Sequence, residues 1–259
     1  MSTGAVRRID LTQVPAHVIS MPGQNRRQKL TRALFERLEI GFDFVDGIVG
    51  ERKIRACALA HARALAAAPA PPFAVFEDDL QCPGGIAVPP LPGDADILYL
   101  GTNTAGCFPN QRRYWSVFNH RSVGAFCLAQ PVDDALARVW SMVGAHAYAV
   151  LSDRGAEVWR GAVETALREG LPVDVAFAYV QPQVTALALR RPMFCEDPRL
   201  QGRAKRAPER QAMTADPIPM AAPGERRRGL KSRWIIDGVV TRTGAGGLEW
   251  TLADYAPRS

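Results

Sequence analysis

Phe73-Ala-Val-Phe-Glu77-Asp78-Asp79-Leu80 is the stretch of this 259-residue chain that decides its fold class. A short apolar run follows the proline-rich break at 69–72 and stops at three consecutive carboxylates. A run bounded in this way predicts a buried strand. Carboxylates at its carboxyl end would lie where open α/β sheets bind ligands. Adjacent negative charges repel one another and hard divalent cations prefer oxygen ligands, so the stretch predicts a Mg²⁺ or Mn²⁺ site; a solvated acidic turn is the alternative.

Strand and helix patterns alternate on both sides of this stretch. Short apolar runs predict strands, and apolar stripes with helical spacing predict helices. The predicted strands are His17–Met21, Phe42–Val45, Ile97–Leu100 and Tyr148–Leu151, and the predicted helices are Arg26–Glu39, Ile54–Ala68 and Ser152–Glu169 with Ser152 as N-cap. This alternation predicts an α/β fold with a mostly parallel sheet flanked by helices.

Composition bounds the class of protein. The hydrophobic fraction of 47% is ordinary for a globular chain. The sequence contains no run of about 18 apolar residues, so no transmembrane helix is predicted. The first ten residues lack the apolar core of a signal peptide. The five cysteines are scattered without a C-x-x-C pair, which argues against a disulfide framework and against a zinc site. A cytoplasmic protein with reduced thiols is the expectation.

Positive charge is concentrated near the C-terminus. Residues 199–233 contain ten basic and three acidic side chains, an excess larger than the +6 of the whole chain, together with four prolines. This composition predicts an irregular basic arm that favours nucleic acid, acidic lipid headgroups or a phosphorylated glycan; a solvated linker is the alternative. We therefore divide the chain into a domain at 1–195, an arm at 196–233 and an extension at 234–259. That extension is predicted to be a β-hairpin of Trp234–Val240 and Leu248–Leu252.

Seven short motifs occur in the order found in glycosyltransferase family 25, which includes bacterial lipooligosaccharide galactosyl- and glucosyltransferases and collagen galactosyltransferases. They lie between about residues 17 and 185. They are Val18-Ile-Ser-Met21 with Asn25-Arg26-Arg27, Phe44-Val-Asp46-Gly47, Cys57-Ala-Leu-Ala-His61, Glu77-Asp78-Asp79, Asp96-Ile-Leu-Tyr-Leu-Gly101, Gly144-Ala-His146-Ala-Tyr148-Ala-Val-Leu-Ser152-Asp-Arg-Gly155-Ala156, and Pro172-Val-Asp174. The third motif departs from the family pattern at Ala60, where a serine is usual. The sixth carries one extra residue before Ser152.

The resemblance implies a GT-A-type, Rossmann-like fold and a metal-dependent, inverting hexosyl transfer from a UDP-sugar. It places Mn²⁺ or Mg²⁺ on Asp79 with Glu77 or Asp78, where the cation would offset charge on the diphosphate leaving group. Nucleotide-sugar binding is expected at the positions of the matching motifs, which are Arg26, Arg27, Asp46, His61 and Asp78. Surface solvation is the alternative for the two arginines.

Inversion also requires a base that takes the proton of the acceptor hydroxyl. Asp174 is the first candidate and His146 the second. Both His146 and His61 lie in apolar surroundings, where a hydrogen-bonded structural histidine is the common outcome. Tyr148 is expected to pack, and the pair Glu196-Asp197 is expected at the surface because no strand pattern leads into it.

The sequence alone leaves two questions open: the identity of the acceptor, and whether the chain is an enzyme or a binding module. A saccharide hydroxyl, as in a lipooligosaccharide core, is the acceptor that the resemblance favours. The basic arm keeps a hydroxymethylated DNA base as an alternative acceptor, because lysine and arginine neutralise phosphates. A non-catalytic nucleotide-sugar-binding module is the other alternative; the intact acidic triplet argues against it and Ala60 argues for it.

Overall fold

The computed structural model of the chain describes residues 6–101, 132–139, 142, 144–189, 191–197 and 200, with the backbone alone of 129–131, 227–230, 240–242 and 248–250. Its helices are α1 Asn25–Arg37, α2 Lys53–Ala67, α3 Asp153–Glu169 and α4 Val173–Val180. Its strands are β1 Val6–Arg7, β2 Ala16–Ser20, β3 Phe42–Asp46, β4 Phe73–Glu77, β5 Leu80–Gln81, β6 Leu91–Pro92, β7 Ile97–Tyr99, β8 Ala129–Pro131, β9 Leu136–Val139, β10 Ala147–Val150, β11 Ala186–Leu189, β12 Cys195–Glu196, β13 Arg227–Leu230, β14 Val240–Arg242 and β15 Leu248–Trp250.

The elements nearest the acidic triplet were predictable because each has a complete local pattern. Strands β2, β3, β4, β7 and β10 and helices α1, α2 and α3 agree with the predicted positions to within one or two residues. Ser152 is the N-cap of α3, as predicted, and its Oγ accepts a hydrogen bond from the Gly155 amide. Helix α4 and strands β8, β9 and β11 had not been predicted, because their apolar runs are short and lack a clear period.

The main sheet is α/β in character but mixed, which corrects the prediction of a mostly parallel sheet. Its eight strands have the order β3-β2-β4-β10-β7-β11-β9-β8. Strands β2, β3 and β4 are parallel neighbours, as are β7 and β11. Strand β10 is antiparallel to both β4 and β7. The chain enters β10 at the edge where β4 ends, with Ala147 opposite Phe76, so β10 has to run back along β4.

Strand β4 lies between two apolar layers, and its side chains alternate between them. Phe73 and Val75 belong to the core beneath α2, α3 and α4. Ala74 and Phe76 belong to the core beneath α1. All four are at most 1% exposed, so the register of β4 is strongly specified. The same alternation determines on which face of the sheet each carboxylate after Phe76 lies.

The C-terminal part is described only in short pieces. Strands β13, β15 and β14 form an antiparallel sheet in that order, with β14 and β15 as the hairpin. The first strand of the predicted hairpin was placed at Trp234–Val240, whereas β14 starts at Val240; residues 231–239 lie outside the described residues. Most of the predicted basic arm, including 201–226, also lies outside them. Strand β12 spans the domain boundary predicted after residue 195, and the division into domains otherwise stays a prediction.

Among the described residues, no helix has both the length and the apolar character needed to cross a bilayer.

The start of α3 is held against the sheet by Asp96, which immediately precedes β7. Asp96 is 6% exposed; one of its carboxylate oxygens accepts a hydrogen bond from Ser152 Oγ, and the other accepts one from the Thr185 amide at 2.8 Å. Gly155, in the first turn of α3, packs on the Asp96 backbone. A Cβ at Gly155 would lie 2.6 Å from the Asp96 carbonyl oxygen. This contact accounts for a glycine inside a helix, where glycine is otherwise unfavourable.

Two glycines of α3 make a matched pair of substitutions. We expect Gly155→Ala to lower the free energy of unfolding by about 1–3 kcal/mol, because its methyl group would displace backbone. Gly161→Ala, whose Cβ would meet nothing within 4 Å, should raise it by up to about 1 kcal/mol, since alanine favours helix. Urea denaturation of both variants measures the two effects. A similar response at both positions would contradict the close approach of α3 to Asp96.

Candidate functional site

The acidic triplet is divided between the two faces of the sheet. Glu77 follows the alternation of β4 onto the side of α2, where its carboxylate lies 3.7 Å from His61 Nε2. Asp78 points to the side of α1, where it contacts Ser20 and Arg27. The neighbouring carboxylates at the end of β4 therefore lie in separate environments, Glu77 on the side of α2 and Asp78 on the side of α1.

Asp78 is a buried carboxylate with a complete set of partners. One oxygen accepts a hydrogen bond from Ser20 Oγ at 2.7 Å, and the other forms an ion pair with Arg27 Nη1 at 2.8 Å. Its backbone carbonyl also accepts a hydrogen bond from Thr31 Oγ1 at 3.1 Å. Asp78, predicted as a nucleotide-binding residue, therefore joins β2, α1 and β4. Arg27 supplies the positive charge that the repelling carboxylates require.

Asp79 lies farther than Asp78 from the same guanidinium. Its Oδ2 is 3.5 Å from Arg27 Nη1, and its backbone carbonyl accepts a hydrogen bond from the Asp197 amide at 2.6 Å. Burial raises the pKa of Asp79 to about 7, and the negative charge of Glu77 adds to the rise. A second cation near Asp79 would therefore favour its ionised form.

Glu77 lies next to a buried histidine. Burial opposes its ionisation, but the neighbouring side chains of His61, His146 and Arg27 outweigh burial and lower the pKa of Glu77. His61 itself is 1% exposed, and its Nδ1 is 3.1 Å from Tyr148 Oη. Its ring packs on Tyr148 and edge-on to Phe177. Tyr148 is fully buried, so the prediction that it packs is confirmed.

Glu77, His146 and Asp174 line one cleft of about 520 Å³. They come from the end of β4, the residue before β10 and the first turn of α4. The remaining lining residues are Lys53, Ile54, Cys57, Ala145, Pro172, Val173 and Glu196. The cleft lies at the carboxyl edge of β2, β3 and β4, which is where α/β sheets bind ligands. It brings together both candidate bases and one candidate metal ligand.

Two helices begin at this cleft. The first residues of α2, Lys53 and Ile54, lie on one wall, and Val173 and Asp174 of α4 lie on another. Helix α2 has no acidic residue in its first turn and no side-chain hydrogen bond at its N-cap. Its first amides and the ammonium group of Lys53 make this wall favourable for an anion.

Asp174 has a perturbed pKa. Burial raises the pKa of this carboxyl, and the charge of Glu77 raises it further, while the hydrogen bond from the Val175 amide acts in the opposite direction. A carboxyl with a raised pKa is a stronger base than an ordinary aspartate once it is ionised. His146 is 3% exposed, its backbone carbonyl accepts a hydrogen bond from the Glu77 amide at 2.9 Å, and its ring lies against Gly101.

The remaining predicted residues, which include Asp78 and Asp79, do not line the cleft. Arg26 is exposed at the start of α1, and Asp46 is exposed at the end of β3, in register with Ser20. Arg27 is 29% exposed and also donates a hydrogen bond to the Leu200 carbonyl at 2.9 Å. His61 lies behind Glu77.

Three titratable residues of the cleft had not been proposed for the site: Lys53, Cys57 and Glu196. The prediction that Glu196-Asp197 lies at the surface is wrong, because β12 pairs with β5 directly after the acidic triplet and Asp197 is 1% exposed. A two-residue strand leaves no periodic pattern in the sequence. For Cys57, the i, i+4 spacing to His61 on a predicted helix was the available signal.

A larger cavity of about 770 Å³ lies between residues 81–89 and 189–193, away from this chemistry. Its lining is mainly apolar or small, with Asp134 and Arg191 as its charged residues. No set of histidines and carboxylates converges on it among the described residues.

Comparison with models of protein families and with curated proteins finds no match to this chain. The resemblance carried by the seven motifs therefore stays a prediction.

Arg27 and Arg26 provide a test of how the acidic triplet is neutralised. We expect Arg27→Met to lower the free energy of unfolding at pH 8 by about 3 kcal/mol, because it leaves a buried carboxylate unpaired. The exposed neighbour Arg26→Met should change it by less than about 0.5 kcal/mol. Chemical denaturation measures both changes.

The decrease in the free energy of unfolding caused by Arg27→Met should be smaller at pH 5 than at pH 8. The folded-state pKa of Asp79 is raised from 3.8 to about 7. The contribution of its protonated carboxyl to the free energy of unfolding is therefore complete below pH 4 and is lost as pH rises through 7. The ionised form, which needs Arg27, thus predominates only at the higher pH. An equal loss at both pH values would contradict the contact between Arg27 and Asp79.

Proposed function

We propose that this chain is a metal-dependent, inverting glycosyltransferase that moves a hexose from a UDP-sugar to a hydroxyl of a saccharide, as in a lipooligosaccharide core. The observation that carries the proposal is the convergence of Glu77, His146 and Asp174 on one cleft. These residues belong to three separate motifs of the family 25 pattern, and the fold brings them to the same edge of the sheet.

The wall of the cleft formed by α2 suits the diphosphate of a nucleotide-sugar. Lys53 supplies a positive charge, and the first turn of α2 contributes amides and contains no acidic residue. Phosphate groups bind favourably at such helix starts. Glu77 and Glu196 on the cleft are negative, so a diphosphate would need a cation between it and these carboxylates.

The residues fit a divalent cation on the basis of their charges. Glu77 and Asp79 are two residues apart at the end of β4, both are oxygen ligands, and the charge of Glu77 adds to the raised pKa of Asp79. A Mn²⁺ or Mg²⁺ ion held by this pair would neutralise charge on the departing diphosphate. Asp78 is unsuited to the role because its oxygens already bind Ser20 and Arg27.

Asp174 is the proposed general base. It lies on the cleft, and burial raises its pKa toward the range in which proton transfer is efficient. The carboxylate would accept the proton of the acceptor hydroxyl as the oxygen attacks the anomeric carbon. His146 is the second candidate from the same cleft. The partly apolar lining, with Ile54, Ala145 and Val173, would exclude water from a bound donor.

The DNA acceptor and the non-catalytic module remain outcomes of the tests below. The basic arm that suggested DNA lies mostly outside the described residues, and no contact of the described part favours it over a saccharide. Duplex binding that weakens steeply with salt would identify the DNA acceptor. Donor binding without turnover, with and without acceptor, would identify a binding module.

The proposed activity is tested by screening nucleotide-sugars for Mn²⁺-dependent hydrolysis by the full chain. We expect UDP-galactose or UDP-glucose to be hydrolysed slowly without acceptor, and Asp79→Asn to abolish this turnover because it removes the charge that holds the cation. Asp43→Asn, exposed in β3, is the control and should retain activity. Wild-type turnover in Asp79→Asn would refute the metal assignment, and absence of hydrolysis with every donor would refute the donor class.

The role of Asp174 is tested in single-turnover transfer. Asp174→Asn should lower the transfer rate by about 10²–10⁴-fold with donor affinity little changed, because the amide cannot accept the proton. In the wild type, the rate should rise with pH as Asp174 ionises at its raised pKa, and this rise should be absent from the variant. An equal loss of donor affinity would place Asp174 in the donor site, and an unchanged rate would favour His146.

A further inference from the structure

Three potential ligands of a transition metal lie together at the side of the cleft formed by α2 and the end of β4. Cys57 Sγ, a ring nitrogen of His61 and a carboxylate oxygen of Glu77 all lie within 4.8 Å of one another. Cys57 and His61 are one turn apart on the same face of α2, and Glu77 reaches them from the end of β4. The seven motifs and the proposed Mn²⁺ or Mg²⁺ pair assign no role to this combination of sulfur, nitrogen and oxygen.

We propose that Cys57, His61 and Glu77 form a binding site for Zn²⁺, distinct in ligand chemistry from the carboxylate pair Glu77 and Asp79. Thiolate and imidazole ligands favour zinc over Mg²⁺ and Mn²⁺, which prefer oxygen. A tetrahedral zinc ion with bonds of about 2.0–2.3 Å separates its ligand atoms by roughly 3.3–3.7 Å. His61 Nε2 and Glu77 Oε1 are 3.7 Å apart, so this pair needs almost no movement.

The orientation of His61 supports ligation. The side chain is 1% exposed, and its Nε2 is buried without a hydrogen-bond partner, a costly arrangement for a ring nitrogen. Its other nitrogen lies 3.1 Å from Tyr148 Oη. If Nδ1 donates its proton to Tyr148, Nε2 has a free lone pair directed toward Glu77 and Cys57. Such an outer hydrogen bond is the usual companion of a zinc-bound histidine.

The thiol of Cys57 would have to lose its proton on binding a metal ion. Burial raises the pKa of its thiol, and the neighbouring carboxylates raise it further, so without a cation it is protonated and poorly reactive at neutral pH. A divalent cation between Cys57 and Glu77 would reverse this balance, since coordination deprotonates a thiol.

The site has three protein ligands and a side open to the cleft. Cys57 and Glu77 both line the cleft, so a bound ion would face Asp174 and His146 through its fourth position. Three ligands with an open position are the arrangement of catalytic zinc, whereas structural zinc has four protein ligands. Because Glu77 belongs to both sites, Zn²⁺ should compete with Mn²⁺ for this chain.

Metal binding can be measured without any sugar, so failure here is distinguishable from failure of the proposed transferase activity. The full chain is titrated with Co²⁺, a spectroscopic substitute for Zn²⁺, in reducing buffer. We expect one Co²⁺ per chain with a thiolate-to-cobalt charge-transfer band, displacement by Zn²⁺, and a rise in the thermal unfolding midpoint with Zn²⁺.

Variants locate the site. Cys57→Ser should abolish the charge-transfer band and the Zn²⁺-dependent rise of the midpoint. Tyr148→Phe, which removes only the partner of His61 Nδ1, should weaken Zn²⁺ binding by about 10–100-fold. Cys82→Ser is the matched control, because Cys82 is a buried thiol outside the cluster that contacts the Gly84 carbonyl. Circular dichroism of each metal-free variant separates loss of binding from loss of folding.

Three results would overturn the proposal. The first is a folded wild-type chain that binds neither Co²⁺ nor Zn²⁺. The second is a charge-transfer band that persists in folded Cys57→Ser. The third is a band that disappears in Cys107→Ser or Cys127→Ser, whose thiols lie outside the described residues and would then be the true ligands.

Discussion

The ion pair of Arg27 with Asp78 is the interaction on which the arrangement of the site depends. It joins the first turn of α1 to the end of β4, and Ser20 completes it from the end of β2. A buried carboxylate requires such partners, since an isolated charge in the interior is strongly unfavourable. With Asp78 held in this way, the chain direction at the end of β4 is determined. Glu77, which precedes Asp78 in the chain, and Asp79, which follows it, are positioned as a consequence.

Arg27 neutralises part of the negative charge of the acidic triplet, so fewer of its carboxylates are left to bind a metal ion. Three adjacent carboxylates by themselves favour a bound cation, and the guanidinium of Arg27 supplies that positive charge from the protein itself. The carboxylates left for an external cation are Asp79, with its raised pKa, and Glu77 on the cleft. Glu77 is at the same time within reach of His61 and Cys57. The chemistry of this edge of the sheet therefore centres on Glu77.

Most of the α/β elements were predictable because their patterns are local. Ser152 caps α3 in the sequence as in the structure, and the apolar run at Phe73 is a strand in both. The direction of β10 was not predictable, since a short apolar run has the same composition whichever way its partners run. Glu196 was missed for a related reason. Its strand has two residues and exists only through pairing with β5.

The sequence by itself determined that the chain is α/β, and it identified Glu77, His146 and Asp174 as candidate site residues, because strand periodicity, helix caps and short motifs are local features of the chain. Only the tertiary structure decided how these residues combine. In the folded chain, Glu77 and Asp78 lie on opposite faces of the sheet, because β4 is buried on both sides and its register is therefore strongly specified. The tertiary structure also brought Asp174, His146 and Cys57 to Glu77 from three other elements. Such contacts depend on the packing of helices against a twisted sheet, which no local pattern records.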